Sequence, residues 1–279
     1  MVATTFVPAH RCGAAPESHR LPSRRAFATP APKAAPSVAS EATRVNRACA
    51  TVRAMIVDVV IPALDEERAL PLVLAEIPRD VVRRVVVCDN GSRDRTADIA
   101  REGGAIVVHE PRRGYGSACL RALAEIASEP PDVVVFLDGD RSDHPSEITR
   151  LLEAISSGAD LVIGSRVLGR RERGSLTPQQ IAGNAVACVA LRLLYGARYT
   201  DLGPFRAIRW SALQKLDMGD PDYGWTVEMQ IKAARRGLRH AEVPVSYRRR
   251  VGVSKVSGTV RGTVMASITI LRWLARHAH

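Results

Sequence analysis

The sequence is poor in aromatic residues and has neither paired cysteines nor a long apolar segment. Phe, Trp and Tyr make up 4% of its 279 residues, and they do not alternate with basic residues as on nucleic-acid-binding surfaces. The five cysteines stand apart, without a Cys-x-x-Cys pair, which argues against a disulfide framework or a zinc site and fits a reducing compartment. No apolar run reaches the roughly 18 residues of a membrane-spanning helix, so we expect no segment that crosses a bilayer.

Acidic residues are scarce at both ends of the chain. The formal net charge is +11, yet residues 55–231 carry 21 basic and 26 acidic residues, whereas residues 232–279 carry 11 basic residues and the single acid Glu242. Unless it is only a solvated basic face, the C-terminal end predicts an anionic partner, which is a phosphate group, a membrane surface or nucleic acid. Nucleic-acid binding is the non-enzyme alternative. The acidic middle of the chain argues against it, and we expect no nucleic-acid partner.

Residues 1–54 differ in composition from the rest of the chain. They contain fourteen Ala, six Pro and nine Ser or Thr, with eight basic residues and two acidic ones. Such a segment cannot bury enough apolar surface to offset the entropy lost on ordering. It is predicted to be a disordered arm or an organelle transit peptide, which would place the protein in a plastid or another organelle. Met55 directly precedes the first predicted strand, which favours a disordered arm or an extension upstream of the true start over a transit peptide.

From Met55 onward, β-branched runs alternate with segments of helical spacing. Strands are predicted over residues 56–61, 85–88, 105–109, 133–137 and 161–163, and helices over residues 66–77, 96–102 and 115–127. Strands that are apolar on both faces and separated by helices indicate a mainly parallel sheet covered on both sides. The predicted fold class is therefore α/β, a Rossmann-like three-layer sandwich.

Aspartates follow the ends of three predicted strands: Asp65, Asp89, Asp138 and Asp140. In open sheets of this type, ligands bind beyond the carboxyl ends of the strands. One such Asp could be a turn former or a helix cap, and Asp65 could cap the following helix. Several carboxylates at one edge would repel each other unless a cation or a donor-rich ligand lay among them. Asp138 and Asp140 flank a glycine, a pattern that can hold a divalent cation on phosphate oxygens.

Nine short motifs follow one another along the chain: residues 59–67 (VVIPALDEE), 87–96 (VCDNGSRDRT), 114–118 (GYGSA), 138–140 (DGD), 163–166 (IGSR), 201–206 (DLGPFR), 224–228 (GWTVE), 243–248 (VPVSYR) and 252–257 (GVSKVS). As an ordered set, these motifs resemble family 2 glycosyltransferases of the GT-A fold, and most of all the polyprenyl-phosphate sugar synthases such as dolichyl-phosphate mannose or glucose synthase. The resemblance covers residues 57–257, the predicted catalytic domain being residues 55–257.

The resemblance implies a nucleotide-diphosphate sugar donor, linked to UDP or GDP, and inversion at the anomeric carbon. The residues that it places at the donor are Pro62, Ala63, Asp65, Glu67, Asp89, Gly114 and Asp138. Asp138 and Asp140 would hold Mg²⁺ or Mn²⁺ on the diphosphate, with Asp140 as the direct ligand. A nucleotidyltransferase would instead require a glycine-rich loop after the first strand, and residues 62–66 are not one.

The resemblance also implies an acceptor side built from basic residues. Arg206, Arg248, Arg250 and Lys255 are predicted to bind acceptor or phosphate groups, Arg248 and Arg250 because alternate residues of a strand face the same way. Arg206 could instead serve as a structural ion-pair partner. Arg166, Glu228 and Asp140 are the predicted catalytic residues. Arg166 would face phosphate oxygens, and Glu228 would orient a sugar hydroxyl or act as a base, which matters most if the acceptor is an alcohol.

This sequence departs from the family pattern at three places. Asn90 stands where many members have a second Asp. The stretch after Asp140 is one residue longer than the common spacing, which leaves Asp143 and His144 as alternatives for a third metal ligand. Gln179 and Gln180 stand where a basic residue usually precedes Asn184, which removes one expected contact to the acceptor phosphate.

The C-terminal segment, residues 258–279, is predicted to be an amphipathic helix. Val256, Val260, Val264, Ile268 and Leu271 recur at spacings of three and four residues, and basic residues accompany them. This helix is expected either to lie on an anionic membrane surface or to pack on its own domain. The predicted function is transfer of a sugar to a polyprenyl phosphate on the cytoplasmic face of a membrane, with the protein bound peripherally. The alternative is a glycosyltransferase for a soluble phosphorylated or hydroxyl acceptor.

Overall fold

In a computed structural model of the protein, residues 52–252 are described. The predictions for Lys255, for a helix over residues 258–279 and for residues 1–51 of the predicted arm (residues 1–54) lie outside this range. Residues 52–54 of that predicted arm are described: they are helical, and Val52 is buried in the core, 4% exposed. Among the helices of residues 52–252, none combines the length and the hydropathy that crossing a membrane requires.

Strands and helices alternate along the described chain. The strands are β1 (Val57–Ala63), β2 (Arg84–Asp89), β3 (Ile106–His109), β4 (Val133–Phe136), β5 (Leu161–Ser165), β6 (Arg206–Arg209) and β7 (His240–Pro244). The helices are α1 (Leu70–Glu76), α2 (Thr96–Glu102), α3 (Tyr115–Ile126), α4 (Ile148–Ser156), α5 (Pro178–Tyr195), α6 (Trp210–Leu216) and α7 (Trp225–Arg235), and a 3₁₀ turn, Pro145–Glu147, precedes α4.

The strands form one sheet in the order β3-β2-β1-β4-β6-β5-β7. All neighbouring strands are parallel except β6, which is antiparallel to both β4 and β5. The prediction of a mainly parallel sheet is therefore confirmed. The antiparallel strand β6 was not predicted, because it is only four residues long and begins and ends with arginine. Such a short segment does not indicate a strand or its direction in the sheet.

Helices cover both faces of the sheet. Successive strand residues point to opposite faces, so Val59 and Ile61 pack in a core with α1, α2 and α4, whereas Val60 packs in a second core with α3, α5, α6 and α7. In the register of the parallel strands, Ala63 lies opposite Asp89, and Val60 opposite Phe136. The carboxyl ends of β1, β2 and β4 consequently meet at one edge, which positions the loops that follow them.

Helix α1 begins later than the sequence predicts. Its first residue is Leu70 rather than residue 66, and its N-cap, Ala69, makes no side-chain cap hydrogen bond. The backbone N–H groups of Glu66 and Glu67 instead donate to Thr96 Oγ1 (2.8 Å) and Asp94 Oδ2 (3.2 Å). These tertiary hydrogen bonds hold residues 65–69 outside the helix, so Asp65 does not cap it.

The arginine run at residues 248–250 is not part of a strand, contrary to the prediction. Strand β7 ends at Pro244, and the chain then follows other loops: Tyr247 N donates to Arg170 O (2.8 Å), and Val251 N donates to Asp140 O (2.9 Å). Alternation along a strand therefore cannot decide which arginines share a direction. Contacts with the neighbouring loops decide it.

Candidate functional site

A cavity of about 350 Å³ lies beyond the carboxyl ends of β1, β2 and β4. It is lined by Pro62, Ala63, Leu64, Glu66, Asn90, Arg113, Gly114, Tyr115, Ala118, Asp138, Gly139, Asp140, Asp222, Tyr223 and Arg250. The residues predicted from sequence that reach it are Pro62, Ala63, Gly114, Asp138, Asp140 and Arg250. They come from four separate parts of the chain, which only the fold brings together.

The two aspartates after β4 are each held by a named partner. Tyr115 Oη donates to Asp138 Oδ1 at 3.0 Å, and Arg250 Nη1 lies 2.9 Å from Asp140 Oδ2. Asp140 Oδ1 also accepts a hydrogen bond from Ser142 N at 2.9 Å. Burial and the neighbouring charge of Asp140 raise the pKa of Asp138 to about 7, despite the opposing effect of Arg250. The site thus holds two neighbouring carboxylates, and the positive charge of Arg250 offsets only part of their negative charge.

Asp143 is a buried carboxylate next to this pair. Only 1% of the residue is exposed, and neither carboxylate oxygen has a hydrogen-bond partner among residues 52–252. Burial, together with the charge of Asp138, raises its pKa well above the ordinary value. Such an unsatisfied group is costly in a folded protein unless something compensates it. His144, the other alternative for a third ligand, has a lowered pKa because of burial and of the nearby Arg248.

The residues fit a divalent cation that is shared with a ligand. Within residues 52–252, no group of three or more His, Cys, Asp or Glu side chains is arranged to hold a metal ion by itself. Asp138 and Asp140 line the cavity, and the raised pKa of Asp138 shows that positive charge there would be favourable. Mg²⁺ and Mn²⁺ take carboxylate, water and phosphate oxygens, so two carboxylates and a diphosphate could complete one coordination sphere.

Asp65, Glu67 and Asp89 do not line the cavity, although the sequence predicts them at the donor. Asp65 Oδ1 accepts from Arg93 N (2.7 Å), and Glu67 Oε2 accepts from Arg95 N (3.2 Å). Asp89 Oδ1 accepts from Ser92 N (3.0 Å), while its Oδ2 lies 3.1 Å from His109 Nδ1. All three carboxylates therefore hold the loop between β2 and α2.

Asn90 fastens another loop to the cavity. Its side-chain amide donates to Glu110 O (2.9 Å) and Arg112 O (2.8 Å), and its Oδ1 accepts from Gly114 N (2.9 Å). An aspartate could not donate these two hydrogen bonds. The departure from the family pattern at this position thus has a structural role, since Arg113 and Gly114 of the same loop line the cavity.

The glycines that begin α3 allow a close backbone approach. Gly114 has φ +144, and a Cβ there or at Gly116 would overlap backbone atoms of Asp220 and Pro221. Ser117 N donates to Pro221 O at 2.7 Å, so the start of the helix is joined to the loop that carries Asp222 and Tyr223. Gly114 lines the cavity, while Gly116 serves this loop packing.

Arg166 forms a bidentate ion pair with a buried carboxylate. Its Nε and Nη2 donate to the two oxygens of Asp201 at 2.8 and 2.6 Å, and Arg166 N donates to the same carboxylate at 2.7 Å. The guanidinium also lies over the ring of Tyr247, 5.1 Å from its centroid. Arg166 is absent from the cavity wall. In this structure its fork is taken up by Asp201 rather than directed at a ligand.

Glu228 and Arg206, which the sequence predicts at the catalytic and acceptor sides, are both 0% exposed, and neither lines the cavity. Glu228 accepts from the backbone N–H groups of Gly219 (2.9 Å) and Asp220 (2.8 Å) and pairs with Lys232 at 2.7 Å. It therefore holds the loop that leads to Asp222 and Tyr223.

Arg206 donates to the carbonyl oxygens of Thr226 (3.1 Å), Leu202 (3.2 Å) and Gly203. Burial lowers its pKa to about 10. Its side chain thus joins residues 202–203 to Thr226 inside the fold and does not line the cavity.

The three consecutive arginines point to different places. Arg250 lines the cavity. Arg248 donates to Arg141 O (2.6 Å) and pairs with Glu76 at 2.7 Å, away from the cavity wall. Arg249 is exposed and donates to Arg173 O. The prediction for Lys255 lies outside the described residues.

Several cavity residues were not predicted from the sequence: Leu64, Glu66, Asn90, Arg113, Tyr115, Ala118, Gly139 and Asp222. Tyr223 also lines the cavity, whereas Trp225 packs edge-on against Phe136 in the core, with the ring centroids 5.8 Å apart. Glu66 lies within the motif of residues 59–67, and Arg113 directly precedes the motif of residues 114–118. Their place in or next to these motifs was the one feature of the sequence that could have predicted them at the cavity. Their direction depends on loops that are folded by distant hydrogen bonds.

Comparison with known proteins agrees with this geometry. Residues 58–216 match the family described as Glycosyl transferase family 2. An uncharacterized glycosyltransferase of Mycobacterium tuberculosis is 39% identical over 213 residues, which are 75% of this chain and 94% of that protein. The undecaprenyl-phosphate mannosyltransferase of Micrococcus luteus is 34% identical over 228 residues, covering 77% of this chain and 92% of that protein.

Among solved structures, the chain is similar to glucosyl-3-phosphoglycerate synthase from Mycobacterium tuberculosis. That structure contains Mn²⁺, UDP and glucosyl-3-phosphoglycerate. The TM-score is 0.66 at 26% sequence identity, and the match covers 84% of each chain. The names of these two relatives differ in the acceptor group, which is undecaprenyl phosphate in one and 3-phosphoglycerate in the other.

Proposed function

Because the chain belongs to glycosyl transferase family 2 and has the GT-A fold, we propose that it transfers a sugar, with inversion, from a nucleotide-diphosphate sugar to a polyprenyl phosphate, using a divalent cation at Asp138 and Asp140. One observation carries this proposal: both aspartates and Arg250 line the same cavity as Pro62 and Ala63. The cavity thus offers acidic, basic and apolar contacts that suit a cation, phosphate groups and a nucleoside.

The donor would bind with its base against Pro62, Ala63 and Leu64, at the end of β1. Bound Mg²⁺ or Mn²⁺ would neutralise charge on the departing diphosphate. Tyr115 would keep Asp138 oriented through its 3.0 Å hydrogen bond. The loop held by Asn90 would keep Arg113 and Gly114 in the wall. These contacts position the anomeric carbon for attack, which is the main contribution that such a site makes.

The acceptor would enter beside Arg250. A phosphate monoester has a second pKa of about 6 and is already largely ionised at pH 7, so it needs no strong general base. Glu228 is buried and hydrogen-bonded to backbone N–H groups, so it would act on the loop of Asp222 and Tyr223 rather than on the acceptor. In the proposed reaction, the acceptor oxygen attacks the anomeric carbon as the bond to the diphosphate breaks.

A membrane surface would present the lipid acceptor. The loop between β5 and α5 exposes Val167 (47%) and Leu168 (51%). Arg170, Arg171 and Arg173 are exposed a few residues further on. This combination of apolar and basic side chains suits contact with anionic lipid on the cytoplasmic face of a membrane. Co-sedimentation with vesicles, with and without phosphatidylglycerol, tests it; equal recovery in the supernatant of both samples contradicts this part.

The second candidate is transfer to a small soluble phosphorylated acid. The similarity to glucosyl-3-phosphoglycerate synthase favours it, because the match covers most of both chains. Arg250 would then bind the phosphate of a soluble acceptor in the same place.

One experiment tests the proposal and separates the two acceptors. The full chain is incubated with Mn²⁺ and a panel of UDP- and GDP-sugars, with polyprenyl phosphate or with 3-phosphoglycerate, and products are identified by mass spectrometry. A glycosylated lipid phosphate is expected. A glycosylated phosphoglycerate alone would replace the lipid proposal with the soluble one. Absence of transfer from every donor, by a folded protein, would overturn both.

A further inference from the structure

Helix α5 is apolar on two opposite sides. Ala187, Cys188 and Leu191 are buried in the core. On the other side, Val186, Val189 and Leu193 are 61%, 56% and 77% exposed. Arg192 is the one residue with a formal charge among the 18 residues of this helix. A helix that is hydrophobic all round is typical of a fully buried position, so the exposed side calls for a covering element.

Exposed apolar residues recur along the length of the helix. Ile181 (44% exposed) and Leu194 (46% exposed) lie at the two edges of the exposed side, so that apolar residues extend over about 20 Å at 1.5 Å per residue. Nothing within residues 52–252 covers it, as these exposures show. Contiguous apolar surface of this kind marks an interaction site.

The described chain ends beside the start of α5. Arg249 N donates to Glu172 Oε2 at 2.9 Å, and Arg249 Nε and Nη2 donate to Arg173 O at 3.0 and 2.8 Å. Thr177, the N-cap of α5, follows four residues after Arg173, and Gly252 follows three residues after Arg249. At about 3.5 Å per extended residue, the segment after Gly252 begins within reach of the first turn of α5.

That segment carries an apolar stripe of matching length. Val256, Val260, Val264, Ile268 and Leu271 recur with helical spacing and would span about 22 Å as a helix. At 100° per residue, the basic residues fall beside or opposite this stripe: Lys255, Arg261, Arg272 and Arg276. A helix here would thus have one apolar side for packing and a basic side left for solvent.

We propose that residues 256–271 form a helix that runs along α5 in the same direction and covers its exposed apolar side. An attached segment that starts next to its site has an effective concentration on the order of millimolar, which favours it over a second copy of the chain. Packing against α5 also turns the basic side outward. This proposal does not depend on the transferase activity. If residues 256–271 pack on α5, their apolar stripe is not available to bind lipid.

A cysteine on α5 reports whether this side is covered. In the full chain, Cys12 and Cys49 are replaced by Ser and Val189 by Cys, and the rate of labelling by a maleimide is measured. Cys88, Cys119 and Cys188 are buried and give a low background. Labelling is expected to be at least ten-fold slower than in the same protein carrying Ile268→Asp, which places a charge in the stripe. The matched control is Thr269→Asp, one residue away and outside the stripe, which should label as slowly as the parent.

Each other outcome overturns the proposal. Equal, fast labelling with and without Ile268→Asp means that the tail does not cover α5. Labelling that slows only when phosphatidylglycerol vesicles are added assigns this side to lipid, and protection that disappears on dilution assigns it to a second copy. Val264→Asp serves as a second stripe variant, and circular dichroism and thermal unfolding verify that each variant is folded.

Discussion

Arg250 Nη1 lies 2.9 Å from Asp140 Oδ2 in the wall of the cavity. The same two loops are joined by a backbone hydrogen bond from Val251 N to Asp140 O, also 2.9 Å long. The chain beyond β7 is therefore fastened to the aspartates that follow β4. This contact places a fixed positive charge beside the carboxylates, where a diphosphate and an acceptor phosphate would meet.

The first prediction concerns Asp140. Asp140→Asn keeps the size of the side chain but removes the charge that would hold a cation, so we expect transfer to fall by at least about 100-fold, or roughly 3 kcal/mol of transition-state stabilisation. The measurement is initial rate against donor concentration with Mn²⁺. Asp98→Asn is the matched control, because Asp98 is an exposed residue of α2 outside the cavity. Turnover that survives Asp140→Asn unchanged would remove the basis of the metal site.

The second prediction is a pH effect on stability. Burial and Asp140 raise the pKa of Asp138 to about 7 in the folded protein, whereas the ordinary value of an Asp is about 3.9. The fold favours the protonated form of this carboxyl. Its contribution to stability is therefore fully present below the pKa of the unfolded chain and is lost as pH rises through the folded-state pKa of about 7. At pH 8 without metal, Asp138→Asn should therefore be more stable than the parent by about 1–2 kcal/mol in the free energy of unfolding, and should unfold at a higher temperature. The difference should be smaller at pH 5.

Thermal unfolding at the two pH values measures this effect, and transfer activity should be lost in the same variant. The combination identifies a residue whose charge is costly for the fold and needed for function. A variant that is destabilised equally at pH 5 and pH 8 would show that Asp138 serves only packing.

The third prediction concerns Asn90. In Asn90→Asp, the two hydrogen bonds from the side-chain amide to Glu110 O and Arg112 O are lost, and a carboxylate faces those carbonyl groups. We expect the free energy of unfolding to fall by about 2–3 kcal/mol. We also expect the KM for the donor to rise by a factor several times larger than the factor by which kcat falls. Asn184→Asp is the control, because Asn184 makes similar bonds to Thr200 O and Leu202 N outside the cavity. A KM change of equal size in both variants would mean that Asn90 has no specific effect on the donor.

The fourth prediction separates two roles of Glu228. Its carboxylate accepts hydrogen bonds from Gly219 N and Asp220 N and pairs with Lys232. Glu228→Gln weakens these charge-assisted bonds, so we expect stability to fall by about 1–3 kcal/mol. With a phosphate acceptor, kcat measured below the unfolding transition should fall less than about ten-fold, because that acceptor needs no strong base. A larger loss of kcat at unchanged stability would restore the predicted catalytic role.

The sequence alone determined the class of fold. The β-branched runs around Val59, Val86 and Val134 predicted buried parallel strands, and this prediction is confirmed because it depends on local periodicity. Aspartates after those strands predicted a site at their carboxyl edge, and a cavity lies at that edge. The ordered motifs also predicted the family, which the match over residues 58–216 confirms.

Only the tertiary structure decided which charged side chains reach the cavity. Asp65 and Asp138 both follow strands, yet Asp65 binds Arg93 N while Asp138 lines the cavity. Arg206 and Arg250 both lie in predicted acceptor segments, yet one is fully buried and the other reaches the cavity. The direction of each side chain depends on hydrogen bonds to residues far away in the chain. A buried charge must find those partners to offset its lost hydration, and sequence spacing does not reveal them.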